Sequence, residues 1–162
     1  MVWVFIDIYP YDGLGKTEKE AVTYGMKGDR LSSLCYQSTR EHFAIETTTS
    51  LFRKIIKYPV FIGSKLIGKD YFQKKLNQLV KLKEYEDSNY IGCVVWLSGG
   101  KKEIFLRKWF DETIMVPFEK YQFRVPKDYD EVLRHTYGDY MQLPPEKDRI
   151  GHHYFKAYRK DE

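Results

Sequence analysis

The side chains of this sequence that could carry out chemistry lie near its two ends. Asp7 interrupts the apolar run Val2–Ile8, and a tail close to the other end carries Arg149, His152 and His153. A carboxylate can ligate a divalent metal ion, and an arginine can bind a phosphate through two parallel hydrogen bonds. A histidine can act as an acid or a base near neutral pH. These four residues are therefore the first candidates for a reactive site.

Each candidate also has a structural interpretation. Asp7 shares one face of its predicted strand with Trp3, Phe5 and Tyr9, where an unpaired carboxylate would be costly. It is either held by a salt bridge or backbone hydrogen bonds, or it is a metal ligand at the end of a strand. The two histidines are either a solvated pair or reactive groups, and both alternatives stay open.

A short helix must position the tail, and the sequence predicts it from Asp128 to Tyr137. Pro126 ends the extended segment before it, Asp128 is placed to cap its first turn, and Gly138 supplies a stop. Three residues spaced by four should pack on the preceding strands, and burial of Leu133 would make its replacement by alanine cost about 2–5 kcal/mol. They are Tyr129, Leu133 and Tyr137.

Helices are predicted in the middle of the chain. Val2–Ile8 should be a buried strand, and Tyr9–Gly13 the turn that leaves it. The capping box at Thr17–Glu20 predicts a helix that breaks near Gly25 or Gly28 and resumes toward Ala44.

Two further helices should follow, one from Leu51 to Tyr58 that stops before Pro59, and one that opens at Gly68–Asp70. The second should bury the stripe Phe72, Leu76, Leu79 and Leu82. Its lysines are either a solvated face or a phosphate-binding patch, and they are Lys74, Lys75, Lys81 and Lys83.

The pattern then changes to strands. A run from Ile91 to Leu97 should pair with Glu103–Leu106, a loop should follow at Trp109–Asp111, and Ile114–Phe118 should form a hairpin with Tyr121–Val125. The predicted fold is α+β, with residues 1–162 as a single domain that has a helical middle and a small, mostly antiparallel sheet.

Composition narrows the class of protein. The 162 residues carry a formal charge of +4, which suits anionic partners such as nucleotides. This charge is smaller than that of a typical nucleic-acid-binding domain. Aromatic residues make up 17% of the chain. Either they pack in the core, or some of them form a surface that stacks on sugars or bases. The cysteines, Cys35 and Cys93, predict a reducing compartment rather than disulfides, and no apolar run has the length of a membrane span.

Several segments together resemble the LicD family of phosphotransferases, which attach phosphocholine and related groups to cell-surface glycans. They are Phe5–Gly13, Val116–Glu119 and Pro126–Pro145 with the tail through His153, so the resemblance covers nearly the whole chain. It implies a partial nucleotidyltransferase-like core and a magnesium site of an Asp-x-Asp pair plus a further aspartate. Asp7 matches the further aspartate.

The resemblance also implies roles for individual residues. Asp7, His152 and His153 would be catalytic, with Asp7 a ligand of Mg²⁺, and Arg149, Lys127 and Tyr140 would bind substrate; Lys127 and Tyr140 have a structural alternative. No Asp-x-Asp pair lies on an apolar strand here, because Asp128-Tyr129-Asp130 opens a helix. The chain therefore resembles the C-terminal portion of a LicD protein and is predicted to be inactive in isolation.

Three functions stay open. The first is a LicD-type transferase, or part of one, that takes a nucleotide-activated donor and a glycan acceptor such as lipopolysaccharide or teichoic acid. Its missing N-terminal half could come from a separate chain, or the protein could be a truncated product. Its location would be cytoplasmic or peripheral at the inner membrane face. The second is a non-catalytic glycan- or nucleotide-binding module. The third, an RNA-binding domain, is disfavoured because no RNP-like or KH-like motif is present.

Overall fold

The computed structural model describes residues 8–43, 50–97, 100–143, 145–146 and 149. Within those ranges the architecture is α+β, as predicted. The helices are α1 (Glu18–Thr39), α2 (Leu51–Ile67), α3 (Lys69–Val80) and α4 (Tyr129–Tyr137). The strands are β1 (Asp12–Gly15), β2 (Tyr90–Gly92), β3 (Ile104–Leu106), β4 (Thr113–Phe118) and β5 (Tyr121–Pro126). The nucleotidyltransferase-like core stays a prediction.

A three-stranded antiparallel sheet in the order β1-β2-β3 forms one wall of the core. Leu14, Ile91 and Val94 are the largest fully buried side chains of this core. Helix α1 packs on β1 and β2, and Leu79 of α3 belongs to the same buried cluster. The Tyr24 hydroxyl donates a hydrogen bond to the Leu79 carbonyl and so joins the two helices. The predicted strand Val2–Ile8 falls almost wholly outside the described residues. The predicted turn at Tyr9–Gly13 is wrong at its end, because Asp12 and Gly13 already belong to β1.

Helix α1 runs without a break through Gly25 and Gly28, contrary to the prediction, and ends at Thr39. Both glycines are buried where another segment approaches the helix. A Cβ at position 28 would lie 2.1 Å from the Val94 carbonyl oxygen, and one at position 25 would lie 2.8 Å from Leu97 Cδ2. The glycines therefore mark a close contact of α1 with residues 94–97 rather than a helix break.

Helix α2 continues through Pro59 to Ile67, so the predicted stop before Pro59 is wrong. Proline removes one helical hydrogen bond, a cost that packing of the second half of α2 can offset. Phe61 is buried and its ring lies 5.7 Å from that of Phe43, while Ser64 is buried one turn further on.

Helix α3 begins at Lys69, as predicted, and buries Phe72 and Leu79. The predicted stripe is wrong at Leu82, which is 68% exposed because the helix ends at Val80. Three of its lysines are exposed and fit a solvated face, whereas Lys83 is half-buried and forms an ion pair with Glu20.

Strand β2 stops at Gly92 rather than Leu97, while β3 pairs with it as predicted. Residues 93–97 turn toward α1 instead. The Trp96 amide donates to the Cys93 carbonyl (3.1 Å), and the Leu97 amide donates to Asp29 Oδ1 on α1 (3.3 Å). Short 3₁₀ helices flank β3 at Gly100–Glu103 and Arg107–Phe110, the latter where a loop was predicted.

Strands β4 and β5 form the predicted hairpin, with Phe118 opposite Tyr121. The connecting residue Glu119 takes a φ of 52°, a conformation that its two-residue turn requires.

Helix α4 ends at Tyr137, and the predicted stop Gly138 is its C-cap residue with a φ of 73°. Asp128 is its N-cap residue but makes no side-chain capping bond. Tyr129 and Leu133 face Val116 and Val125 of the hairpin across an apolar gap of about 380 Å³. The prediction that Tyr137 also packs there is wrong, because α4 rests mainly on the 3₁₀ helices and Tyr137 is 70% exposed. Leu133 is only half-buried, so Leu133→Ala should cost less than the 2–5 kcal/mol expected of a core residue.

The start of α1 should make the fold sensitive to acid. The Thr17 side chain accepts from the Glu20 amide (3.3 Å), and Glu20 Oε2 accepts from the Lys16 amide (2.9 Å). The hydrogen bond from Lys83, helped by that from Lys16, lowers the pKa of the Glu20 carboxyl. This stabilisation is present above the unfolded-state pKa of about 4.3 and is lost as the pH falls through the lower folded-state value.

We therefore expect the melting temperature of the wild-type chain to fall between pH 6 and pH 3 by more than that of Glu20→Gln. Thermal unfolding followed by circular dichroism measures both slopes. Glu41→Gln, at an exposed carboxylate after the end of α1, is the matched control and should keep the wild-type slope. Identical slopes for all three proteins would contradict the assignment.

Candidate functional site

A cleft of about 370 Å³ opens between the three-stranded sheet and α4. We call it the aromatic cleft and define it by the six side chains that dominate its lining. They are Tyr9, Tyr11, Trp96, Glu103, Phe105 and Tyr137. Its size falls within the range of small-molecule sites in proteins.

Ring stacking holds the floor of the aromatic cleft. Tyr11, just before β1, stacks on Phe105 of β3 with ring centroids 5.3 Å apart, and its edge meets Phe110 at 5.6 Å. Phe105 is almost fully buried, so the pair is anchored to the core. Such contacts fix ring orientation more firmly than burial alone would.

The wall formed by α4 is tied to the same floor through His135. Its ring lies 5.7 Å from Phe105 and 5.6 Å from Trp109, and Nε2 lies 2.9 Å from the Lys101 carbonyl oxygen. Tyr137, two residues later on the helix, projects into the cleft. Helix α4 thus positions a candidate site among the described residues, while the predicted placement of His152 and His153 by this helix stays a prediction.

Glu103 is the acidic residue of the aromatic cleft. It ends a 3₁₀ helix immediately before β3, and its Oε2 atom is buried without a hydrogen-bond donor among the described residues. Buried oxygens of this kind are rare in native proteins and call for an explanation. Burial raises the pKa of the Tyr11 hydroxyl, with smaller electrostatic contributions from Cys93, Glu103 and Tyr137, so these groups face a common space.

Cys93 lines the same cleft, but its environment does not favour a nucleophile. Burial raises the pKa of its thiol, and the nearby carboxylates Asp12 and Glu103 raise it further. Burial likewise raises the pKa of the Asp12 carboxyl. At neutral pH Cys93 is therefore a neutral thiol, which is a poor nucleophile and a poor metal ligand.

Three of the predicted site residues, Asp7, His152 and His153, lie outside the described residues, and their roles stay predictions. Tyr9, two positions after Asp7 in the sequence, lines the aromatic cleft. Arg149 is described, and its amide donates to the Glu146 carbonyl at 3.2 Å.

The structure places Lys127 and Tyr140 away from the lining of the aromatic cleft. Lys127 pairs with Glu112 at the base of the hairpin (2.9 Å), and this contact raises the pKa of its ammonium group. The Tyr140 hydroxyl donates to Asp130 Oδ1 at 2.6 Å. Both contacts support the structural alternative for these residues, and their substrate-binding role stays a prediction.

Asp130 is engaged on both oxygens. Its Oδ2 accepts from Arg134 Nε at 2.6 Å, and the hydrogen bonds from Arg134 and Tyr140 lower the pKa of its carboxyl. This arrangement agrees with a structural explanation of Asp128-Tyr129-Asp130. In the described part of the chain, no group of three or more His, Cys, Asp or Glu side chains is placed to hold a metal ion.

No helix within the described ranges is both long enough and apolar enough to cross a membrane.

Sequence reasoning did not assign Glu103 or the aromatic residues around it to a functional site. The available signal was the 17% aromatic content, for which stacking on a ligand was one of two interpretations. Glu103 itself is one charged residue before a three-residue strand, and it becomes notable only once its oxygen is seen to be buried.

Comparison with known proteins gives one relevant similarity. Over 157 residues, the chain is 33% identical to the lipopolysaccharide cholinephosphotransferase LicD of Haemophilus influenzae. The alignment covers 96% of this chain and 57% of that protein, which fits the prediction that the chain corresponds to one portion of such a protein. No protein-family model matches the chain, and no solved structure matches it either.

Proposed function

We propose, because this chain belongs to the LicD family, that it forms part of the active site of a phosphotransferase. The enzyme would move phosphocholine, or a related phosphorylated alcohol, from a nucleotide-activated donor to a cell-surface glycan. The observation that carries the proposal is the 33% identity, which extends over 96% of the chain to a protein named as a lipopolysaccharide cholinephosphotransferase.

The chemistry assigns distinct tasks to the residues near the two ends. Phosphoryl transfer depends on positioning and on neutralising charge, which Mg²⁺ held by carboxylates supplies when bound. Asp7 would be one ligand, Arg149 would bind the diphosphate of the donor, and His152 or His153 would exchange a proton with the acceptor hydroxyl. Lys127 and Tyr140 would contribute to substrate binding at the edge of this site.

The paired carboxylates of the metal site have to come from elsewhere, since no Asp-x-Asp pair lies on an apolar strand of these 162 residues. A preceding segment or a separate chain would supply them. Because these 162 residues lack the paired carboxylates, a second candidate function is a non-catalytic module that binds a glycan or a nucleotide. The aromatic cleft would serve either function.

We place the protein at the cytoplasmic face of the inner membrane, as a peripheral protein. Helix α2 supports this location. It carries Arg53, Lys54, Lys57 and Lys65 without an acidic residue, and several of its apolar side chains are exposed, among them Leu51, Phe52, Ile55 and Leu66. A basic helix with exposed apolar residues is suited to an anionic lipid surface.

Donor binding tests the proposal on the chain as it stands. Isothermal titration with CDP-choline in the presence of Mg²⁺ should detect binding, and Arg149→Ala should weaken it by about tenfold or more, because hydrogen bonds to a charged phosphate are strong.

Arg124→Ala is the matched control, since Arg124 is an exposed arginine on β5, and it should bind like the wild type. Equal affinity of the Arg149 variant, or no binding of CDP-choline by a folded chain, would count against the proposal.

A further inference from the structure

The aromatic cleft combines exposed rings with a carboxylate oxygen that is withdrawn from water. Tyr9, Trp96 and Tyr137 are at least half exposed, although their rings border a concave site. Behind them, Glu103 Oε2 is buried without a donor in the described part of the chain. Exposure of large rings to water and burial of an unpaired carboxylate oxygen are both unfavourable, and a bound ligand could relieve both.

A nearby cation would stabilise the buried Oε2 atom of Glu103. A carboxylate taken from water loses favourable hydration, and a positive charge nearby restores part of that loss. Lys101, two residues before Glu103, is already paired with Glu18 at 2.8 Å, so it is engaged outside the cleft. A cationic ligand would supply the missing partner.

The side chains that line the cleft indicate which kind of cation would bind. A magnesium or calcium ion needs several oxygen ligands, and a primary ammonium needs several hydrogen-bond acceptors. Half of the residues that line the cleft are aromatic, and Glu103 is its single carboxylate. A quaternary ammonium group donates no hydrogen bonds and is attracted by the faces of Trp and Tyr, so it fits this lining best.

We propose that the aromatic cleft binds a quaternary ammonium group, with Glu103 as its counter-charge and Tyr9, Trp96 and Tyr137 as its walls. This inference rests on the proposed function in one respect: it names choline as the alcohol that the donor carries. The stacked pair Tyr11 and Phe105 forms the floor and keeps the site preformed.

Equilibrium binding of small probes tests the site without any transfer reaction. The 162-residue chain should bind choline chloride, detected by saturation transfer to the trimethyl protons and by isothermal titration. Ethanolamine and 3,3-dimethylbutanol, the uncharged isostere of choline, should bind at least about tenfold more weakly. The isostere separates charge from shape, and ethanolamine separates a quaternary from a primary ammonium.

Two variants connect the binding to named residues. Glu103→Gln removes the charge at nearly constant shape and should weaken choline binding by about tenfold. Tyr137→Leu, at an exposed position where folding should be unaffected, should weaken it about two- to fivefold. Glu131→Gln, at an exposed carboxylate on α4, is the control and should bind like the wild type.

The inference is overturned if the isostere binds as well as choline, if Glu103→Gln binds unchanged, or if the folded chain binds no choline. Binding of Mg²⁺ alone that depends on Glu103 would also overturn it, since the cleft would then be a metal site. Choline binding by a completed enzyme, with the missing part supplied, that never transfers phosphocholine would refute the proposed function only. Transfer with the same choline preference in Glu103→Gln would refute this inference only.

Discussion

Replacing Gly28 by alanine is expected to lower the free energy of unfolding by about 3 kcal/mol, the upper end of typical overpacking costs. The new Cβ would lie 2.1 Å from the Val94 carbonyl oxygen and 2.7 Å from Val94 Cγ1. One of these atoms belongs to the backbone, so the clash cannot be relieved by a change of rotamer. Urea unfolding followed by circular dichroism measures the loss.

Gly63→Ala is the matched control, because Gly63 also lies inside a helix but has no neighbouring atom within 4 Å of the position a Cβ would take. Alanine there should raise the free energy of unfolding by about 0.5–1 kcal/mol through its higher helix propensity. The two substitutions are chemically identical and should have opposite signs. If Gly28→Ala is also stabilising, α1 does not make the close contact with Val94.

The contact at Gly28 also matters for the aromatic cleft. Residues 94–97 pack on α1 through Val94 and Leu97. Trp96, which lies between these two residues in the sequence, lines the aromatic cleft. A shift of this segment should therefore disturb Trp96 as well as the core. The stability of α1 and the shape of the site are coupled through these few residues.

Local patterns were sufficient to predict several elements. The hairpin of β4 and β5 follows from two apolar runs separated by Glu119 and Lys120, and α3 follows from its glycine and the spacing of Phe72 and Leu79. The pairing of β2 with β3 was predictable for the same reason. In each of these elements, the residues whose contacts determine it lie close to one another in the sequence.

Other elements depend on contacts that sequence patterns do not reveal. Gly28 indicated a helix break, but Val94, 66 residues later, occupies the space that its missing side chain leaves. Pro59 indicated a stop, but burial of Phe61 holds α2 together beyond it. Both errors arose because tertiary packing outweighed a local preference.

The candidate site shows the same limit. Residue chemistry drew attention to Asp7, Arg149 and the two histidines, and a family resemblance added Lys127 and Tyr140. Glu103 has no motif, and its importance lies in a buried oxygen that only the fold creates. Tyr137 was expected to pack on the hairpin, yet it lines the aromatic cleft because α4 is turned toward the 3₁₀ helices.

The second large effect concerns catalysis. The isolated chain should show no transfer of phosphocholine from CDP-choline in the presence of Mg²⁺, because its sequence provides no Asp-x-Asp pair on an apolar strand to hold the metal. Turnover by the pure chain that EDTA abolishes would show that other residues hold the metal.

The measurement that tests the proposed function most directly is transfer by a completed enzyme. The part of the Haemophilus protein that this chain does not match would be fused to residues 1–162, and transfer from CDP-choline to lipopolysaccharide would be assayed with Mg²⁺. The fusion should transfer phosphocholine, Asp7→Asn should reduce the rate on the order of 100-fold or more, and Asp87→Asn, at an exposed position, should not. A folded fusion that binds CDP-choline but transfers nothing, or one whose rate is unchanged by Asp7→Asn, would contradict the account.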